Sequence, residues 1–257
     1  MKENQLVFLG TGTSQGVPVI ACDCVVCKSS DLKDKRLRTS VYVEYQGVKV
    51  VVDTGPDFRQ QMLAQDIQKV DAVLFTHEHK DHIAGLDDIR AFNFKWEMDM
   101  PVYAEKRVQD ALKREFHYVF SDYKYPGIPQ LALEDIVEGT TLNITGVEIE
   151  PLRGMHYKLP VFGFRFGDLV YLTDMNSIAE EEKQKMKGAD ILVVNALRKE
   201  KHVSHFNLEE ALALIEELKP KRAFLTHLSH LFGKHEEEQK RLPDNVEIAY
   251  DGLRLNF

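Results

Sequence analysis

Thr76-His77-Glu78-His79-Lys80-Asp81-His82 packs three imidazoles and a carboxylate into six consecutive positions, 77 to 82. It follows an apolar, β-leaning run, Ala72-Val73-Leu74-Phe75, and leads into Ile83-Ala84-Gly85-Leu86, which reads as the start of a helix. A strand that ends in a turn splays neighbouring side chains into one mouth, so His77, His79, Asp81 and His82 can converge there. Imidazole and carboxylate are ligands that suit Zn, Mn, Fe or Co. A lone histidine is more often packed or solvent-facing. Three around an aspartate resist that explanation, because burying polar rings without partners is costly. The stretch is therefore read as a metal-binding motif that needs further ligands from elsewhere.

The chain has 257 residues, enough for one large domain or two small ones with a sizeable core. Apolar residues make up 44%, which indicates a globular class rather than disorder. Lys plus Arg is 33 and Asp plus Glu is 41, a net charge of −8. That balance argues against gripping a nucleic-acid backbone as the main task. A small phosphorylated substrate stays open, because a metal can supply local positive charge. Met1-Lys2-Glu3-Asn4-Gln5 runs directly into a strand-like Leu6-Val7-Phe8-Leu9, without a signal-peptide core or cleavage site. No apolar run is long enough to cross a bilayer, so a cytoplasmic location is expected, with no membrane partner. The 3 cysteines all fall in Cys22-Asp23-Cys24-Val25-Val26-Cys27. An odd number in one short cluster is no disulfide framework, and the cytosol is reducing.

Gly10-Thr11-Gly12-Thr13-Ser14-Gln15-Gly16 lacks the Gly-Lys-Ser/Thr ending of a phosphate-binding loop and reads as a flexible turn lining the site. Lys33 to Arg38 reads as a solvated loop, with Arg38 a lesser candidate for a substrate phosphate. Val41–Tyr45, Gln46-Gly47 and Val48–Val52 read as a hairpin. A short helix is expected over 57–64, a helix from Ile83 to about Phe92, a strand over 101–104 and a helix over 106–116. The stretch 122–129, rich in tyrosine and turn residues, reads as a loop between two halves, its tyrosines packed rather than offered to substrate. The second half repeats the outline. A strand is expected over 142–151, a hairpin over 161–172, a helix over 177–187, strands over 191–194 and 223–225, and an amphipathic helix over 207–218. This pattern suits two packed sheets with helices outside.

His156, Asp174 and His227 each lie where a strand opens into a loop, the context of His77. Singly, they read equally as a surface residue, a helix N-cap and a turn residue. With the first cluster they supply seven ligands of the right types. The ordered pattern His-x-His-x-Asp-His, then His, Asp and His, resembles the metallo-β-lactamase superfamily over essentially the whole chain. The resemblance implies a four-layer αββα sandwich, an α/β fold of two mixed sheets, as a single domain over 1–257. It implies His77, His79 and His156 on one divalent ion, Asp81, His82 and His227 on a second, and Asp174 between them. Asp53 matches the strand-end aspartate that supports such ligands. A pair of ions lowers the pKa of a shared water, the attacking group, toward neutrality. His79 occupies a position that is acidic in the oxygen-reducing di-iron members, which disfavours redox work. Asp174 stands where two-zinc lactamases typically carry cysteine, which favours phosphoester or thioester hydrolysis. Zn and Mn both suit these ligands.

Cys22-x-Cys24-x-x-Cys27 can present three thiolates to one zinc ion, with His230 as fourth ligand; a free cysteine loop and a packed turn are the other readings. Such a site would be structural and would tie the N-terminal loop to the loop of His227. This insert near 22–27, the metal pattern and Ser204-His205-Phe206-Asn207 resemble the phosphodiesterase family of phosphonate degradation, which opens 5-phosphoribosyl 1,2-cyclic phosphate. That resemblance implies a phosphodiesterase acting on a small cyclic phosphate, with His205 as acid and Asp81 as ligand and proton shuttle. His205 also reads as a residue at the N-terminal end of the helix, two positions before the cap at Asn207. His117, His202 and His235 match nothing and are expected on the surface. Competing expectations are a tRNA 3′-end endonuclease, a thioester hydrolase, and a non-catalytic metal-binding protein of cofactor biosynthesis. The endonucleases carry an arm that no segment here supplies. A homodimer is the default assembly.

Overall fold

β-branched and aromatic runs account for most of the regular structure in the computed structural model, which describes residues 4–123 and 125–257. Met1–Glu3, ahead of the first strand, and Lys124, within the tyrosine-rich stretch, lie outside the described residues. The first sheet uses β1 (Gln5–Gly10), β2 (Ser40–Tyr45), β3 (Val48–Val52), β4 (Ala72–Leu74), β5 (Met100–Ala104) and β6 (Leu131–Asp135). The second uses β7 (Leu142–Ile144), β8 (Val147–His156), β9 (Leu159–Phe166), β10 (Leu169–Tyr171), β11 (Ile191–Asn195), β12 (Arg222–Thr226) and β13 (Val246–Ile248). The last strand, β14 (Arg254–Asn256), returns to the first sheet and pairs antiparallel with β1. The orders are β14-β1-β2-β3-β4-β5-β6 and β13-β12-β11-β10-β9-β8-β7. Each sheet is antiparallel at one end and parallel from β3 to β6 or from β10 to β13.

Alternation along the strands builds three apolar layers. Val50, Val52, Leu74 and Phe8 face Phe162, Phe164, Tyr171 and Phe224 between the sheets. Val51, Val73 and Val102 point the other way, under helices α1 (Phe58–Ala64), α2 (Lys80–Ile83), α3 (Arg90–Trp96), α4 (Lys106–Glu115) and α5 (His117–Phe120). Leu192, Val194, Ala223 and Leu225 lie against α6 (Glu180–Met186) and α7 (Leu208–Leu218); α8 (His235–Gln239) precedes β13. This is the αββα sandwich expected from the sequence.

The expected helix from Ile83 is broken. It starts at Lys80, gives way to a 3-10 turn at Leu86–Ile89, and resumes as α3. Gly85 sits at the break because a Cβ there would come within 2.1 Å of the Gly55 carbonyl oxygen. The strand expected over 142–151 splits at Thr145-Gly146, both with positive φ, and the helix over 177–187 shortens to α6. Tyr123 and Tyr125 are 79% and 67% exposed, so they do not pack as expected. His117 is exposed and His202 half-buried. His235 is buried rather than on the surface: its backbone N–H donates to Asp34 Oδ1 at 2.7 Å and its Nδ1 lies 3.5 Å from Arg36 Nη2.

Candidate metal centre

Loops at the ends of β3, β4, β8, β10 and β12 carry the polar residues singled out above. Asp53 follows β3 and is fully buried. Its Oδ1 accepts the Thr76 N–H at 2.9 Å, its Oδ2 accepts the Thr76 hydroxyl at 2.8 Å, and Oδ2 lies 2.7 Å from His82 Nδ1. The Thr54 N–H donates to the His82 carbonyl at 2.7 Å, which locks α2 and its residues Asp81 and His82 onto the β3 turn. Gly55 permits that approach, since a Cβ there would meet the Asp81 carbonyl oxygen at 2.1 Å. Asp53, Asp174 and His227 all adopt left-handed backbone, with φ of +65°, +54° and +56°. Chirality disfavours this region for any residue with a side chain.

The seven proposed ligands converge. His77, His79 and His156 form one group whose candidate ligand atoms lie within 4.8 Å of one another, and Asp81, His82 and His227 form a second. His77 Nε2 is 3.0 Å from His79 Nδ1. Asp174 Oδ2 lies 3.2 Å from His82 Nε2 and 3.1 Å from His227 Nε2, and Asp174 also groups with His77 and with His156. His156 Nδ1 donates to the Ser204 carbonyl at 2.7 Å, which leaves Nε2 for the centre. The hydrogen bond of His82 to Asp53 likewise leaves its Nε2 inward.

These residues fit divalent ions. His82 Nε2 and both ring nitrogens of His227 are buried without a hydrogen-bond partner, although carboxylate oxygens stand 3.1–3.3 Å from the two Nε2 atoms. Leaving such an atom unpaired costs about 1–3 kcal/mol. Ligand atoms around one tetrahedral zinc at ~2.0–2.1 Å would themselves be roughly 3.3 Å apart, close to the observed spacing.

The protonation pattern follows from burial and mutual charge. Burial works against ionisation of Asp174, but His227 and His82 outweigh it and hold its carboxyl well below the usual range. Burial also opposes a charge on His82, yet Asp81, Asp53 and Asp174 overcome it and raise its pKa. Burial, then His82, lowers His77, and burial lowers His227. His77 and His227 are thus disposed to be neutral, the form that binds an ion, whereas His82 would release its proton on binding one.

His205 stands beside the seven. Its Nδ1 is 3.6 Å from Asp174 Oδ1, its ring centroid is 4.5 Å from that of His156, and Nδ1 has no hydrogen-bond partner. Burial, then His227, holds its pKa down to about 3. The expected cap is present: Asn207 and Glu210 form a capping box at the start of α7. Arg38 donates to both Asp57 oxygens at 3.0 and 3.2 Å and to the Ser14 carbonyl. It acts as a strut between loops rather than as the solvated residue expected of its charge run. A cavity of about 430 Å³ opens beside the centre, lined by His79, His156, Tyr157, Lys158, Leu159, Val203 and Ser204.

Sequence reasoning passed over Asn195. Its amide accepts the Met175 N–H and donates to the Met175 carbonyl, both at 2.9 Å, and so clamps the loop that carries Asp174. A buried polar residue closing the apolar run 191–194 was the available signal.

Cys22, Cys24, Cys27 and His230 gather as expected, with Sγ atoms 3.2, 3.4 and 3.6 Å from His230 Nδ1. The Cys27 N–H donates to Cys24 Sγ and lowers that thiol, whereas burial raises Cys27. The donor set and spacing fit one zinc ion.

Residues 49–228 match the model of the β-lactamase superfamily domain. A crystal structure described as a new diphosphatase from the PhnP family is 40% identical and superposes with a TM-score of 0.93, covering 99% of this chain and 97% of that one. The octanoyltransferase of Porphyromonas gingivalis is 42% identical over 249 residues, but this chain spans only 50% of its length and matches with 96% of its own. Zn²⁺-bound PqqB from Methylobacterium extorquens, 18% identical, shares the fold with a TM-score of 0.81, covering 98% of this chain and all of that one. With its matching domain, its ordered histidine and aspartate set and near-complete coverage by a 40% identical relative, the chain belongs to the β-lactamase superfamily, within its PhnP family, and has the metallo-β-lactamase fold.

Proposed function

We propose that this chain hydrolyses a phosphorus–oxygen bond in a small phosphorylated substrate, a cyclic phosphodiester such as 5-phosphoribosyl 1,2-cyclic phosphate in the first instance. The observation that carries the reading is the Asp174 carboxylate standing between two histidine-rich groups, with His205 3.6 Å away and not engaged by any hydrogen bond at Nδ1. His77, His79 and His156 would hold one divalent ion, zinc or manganese, and Asp81, His82 and His227 a second, and such ions would supply Lewis acidity to the reaction. The protein's own residues do the rest. Asp53 and the Ser204 carbonyl fix the inward nitrogens of His82 and His156. Asp174 keeps its charge at the junction of the two groups. His205, neutral in its buried setting, gains proton affinity when an anionic phosphate arrives beside it, as it already does from Asp174. It then protonates the departing oxygen, with Asp81 positioned to relay a proton. The cavity beside His79 and His156 receives the non-reacting half of the substrate, with Tyr157 and Leu159 along its carbon skeleton and Lys158 near its charge. A diphosphatase among its relatives points to the same chemistry at phosphorus. Cys22, Cys24, Cys27 and His230 hold a structural zinc as an insert in a single domain. A cytoplasmic chain with no nucleic-acid or membrane partner completes the reading.

The test is a substrate panel assayed with and without chelator: a cyclic sugar phosphate, bis(p-nitrophenyl) phosphate, a diphosphate, a tRNA precursor, an octanoyl thioester and a lactam. Chelator-sensitive turnover of the cyclic phosphate is expected. Turnover of the thioester or the tRNA precursor alone would overturn the proposal.

A further inference from the structure

We propose that Arg107 is a positioning residue that sets the spacing of His77, His79 and His156, an inference that rests on the metal reading of the centre. These three histidines come from different sheets: His77 and His79 follow β4 in the first, and His156 ends β8 in the second. Their spacing therefore depends on what joins the sheets at that edge. One backbone bond does so, from the Phe162 N–H to the Thr76 carbonyl at 3.1 Å. A second tie among the described residues is a chain of charged side chains.

Arg107 is the second residue of α4, whose Val108, Ala111 and Leu112 are buried against the first sheet and so fix the direction of the guanidinium. Its Nη1 bonds both oxygens of Glu78, the residue between His77 and His79. Its Nη2 donates to the Pro160 carbonyl at 2.7 Å. Pro160 pairs with Met155, one step of register from His156. The same Nη2 lies 3.3 Å from Glu105 Oε2. Glu105 Oε1 in turn accepts from Arg153 Nη2 at 2.7 Å, and Arg153 sits on β8 with its guanidinium 3.8 Å from the Phe162 ring centroid. One planar fork thus reaches the loop of two histidines and the hairpin of the third. An ammonium group on a flexible stem cannot hold those directions together. Groups that orient ligands through such contacts typically change metal affinity 10–100-fold when removed. In the second group, Asp53 and the β3 turn hold Asp81 and His82, His227 comes from the loop after β12, and the bonds of the Arg107 guanidinium given above go to Glu78, Glu105 and Pro160 instead.

The experiment counts zinc bound per chain as free Zn²⁺ is raised through chelator buffers, for the wild type, Arg107→Ala, Arg107→Lys and Glu78→Gln, with Arg222→Ala as a control that removes a remote ion pair. The melting temperature of each metal-free chain is recorded alongside. Arg107→Ala and Glu78→Gln are expected to weaken one binding step by roughly 10–100-fold and leave the other steps within about twofold. Arg107→Lys is expected to stay weakened, and Arg222→Ala to match the wild type. Unchanged steps, full recovery with lysine, or all steps moving together in line with a lowered melting temperature would each overturn the proposal. A wild type that fills fewer than two steps beyond the cysteine site would overturn the metal reading itself.

Discussion

His205 shows how much one residue's surroundings decide. It is buried, and its neighbours His227, His156 and His202 lower its pKa while Asp174 pulls it upward. Such a histidine accepts a proton only when a further negative charge arrives. Replacing it by alanine should lower turnover of the cyclic phosphate by roughly 10²–10⁴-fold while zinc content stays the same; unchanged turnover would remove it from the chemistry. At this scale the sequence was most informative. Histidine, aspartate and cysteine carry specific chemistry, so their order along the chain singled out seven residues that the structure brings together, and the Cys22–Cys27 cluster. Arg107 and Glu78 were opaque because their bond spans 29 positions and no local pattern announces it. His235 was misread for a related reason: the five residues of α8 are too few to display a helical period. Burial, then Arg36, holds its pKa to about 4, below the usual value. The unfolded chain then binds more protons than the folded one between about pH 6.5 and 4, so this residue's share of stability is present above that window and lost as pH falls through it. That share is of order 1–3 kcal/mol. His235→Gln should flatten the acid limb of stability measured by urea unfolding, and an unaltered limb would show that the ring titrates normally.

Among the elements, the strands were legible and the short helices were not. β2, β3, β11 and β12 are runs of β-branched and large apolar residues, and burial on both faces reinforces their preference. β14 has three residues and pairs with a strand about 250 positions away, so only the assembled sheet defines it. The sequence reads as one helix from Ile83 to about Phe92, yet close approach of the β3 turn divides this segment into α2, a 3-10 turn and α3. Gly85 is the residue on which this depends. Gly85→Ala would push a methyl into the Gly55 carbonyl and, through it, shift Asp81 and His82. A loss of about 1–3 kcal/mol is expected, together with weaker zinc binding at the centre. Wild-type stability and affinity in that variant would mean that the turn yields freely.

At the scale of the whole molecule, the two sheets mirror each other in strand order, and the centre lies where their parallel and antiparallel halves open into loops. The cysteine cluster links residues 22–27 to His230, more than 200 positions away and three residues past His227. Cys24→Ser should reduce bound zinc by one ion per chain and lower the melting temperature, with the two centre ions retained. If zinc content did not fall, the cluster would not be a metal site.

The left-handed backbone at residues 53, 174 and 227 carries one more implication. Each costs of order 1 kcal/mol that glycine would spare. A library selected only for surviving heat, with no demand for turnover, should drift toward glycine at 174 and 227. The survivors would be hardier proteins that no longer gather those side chains, and sequencing them would reveal how much robustness this fold surrenders to keep them together.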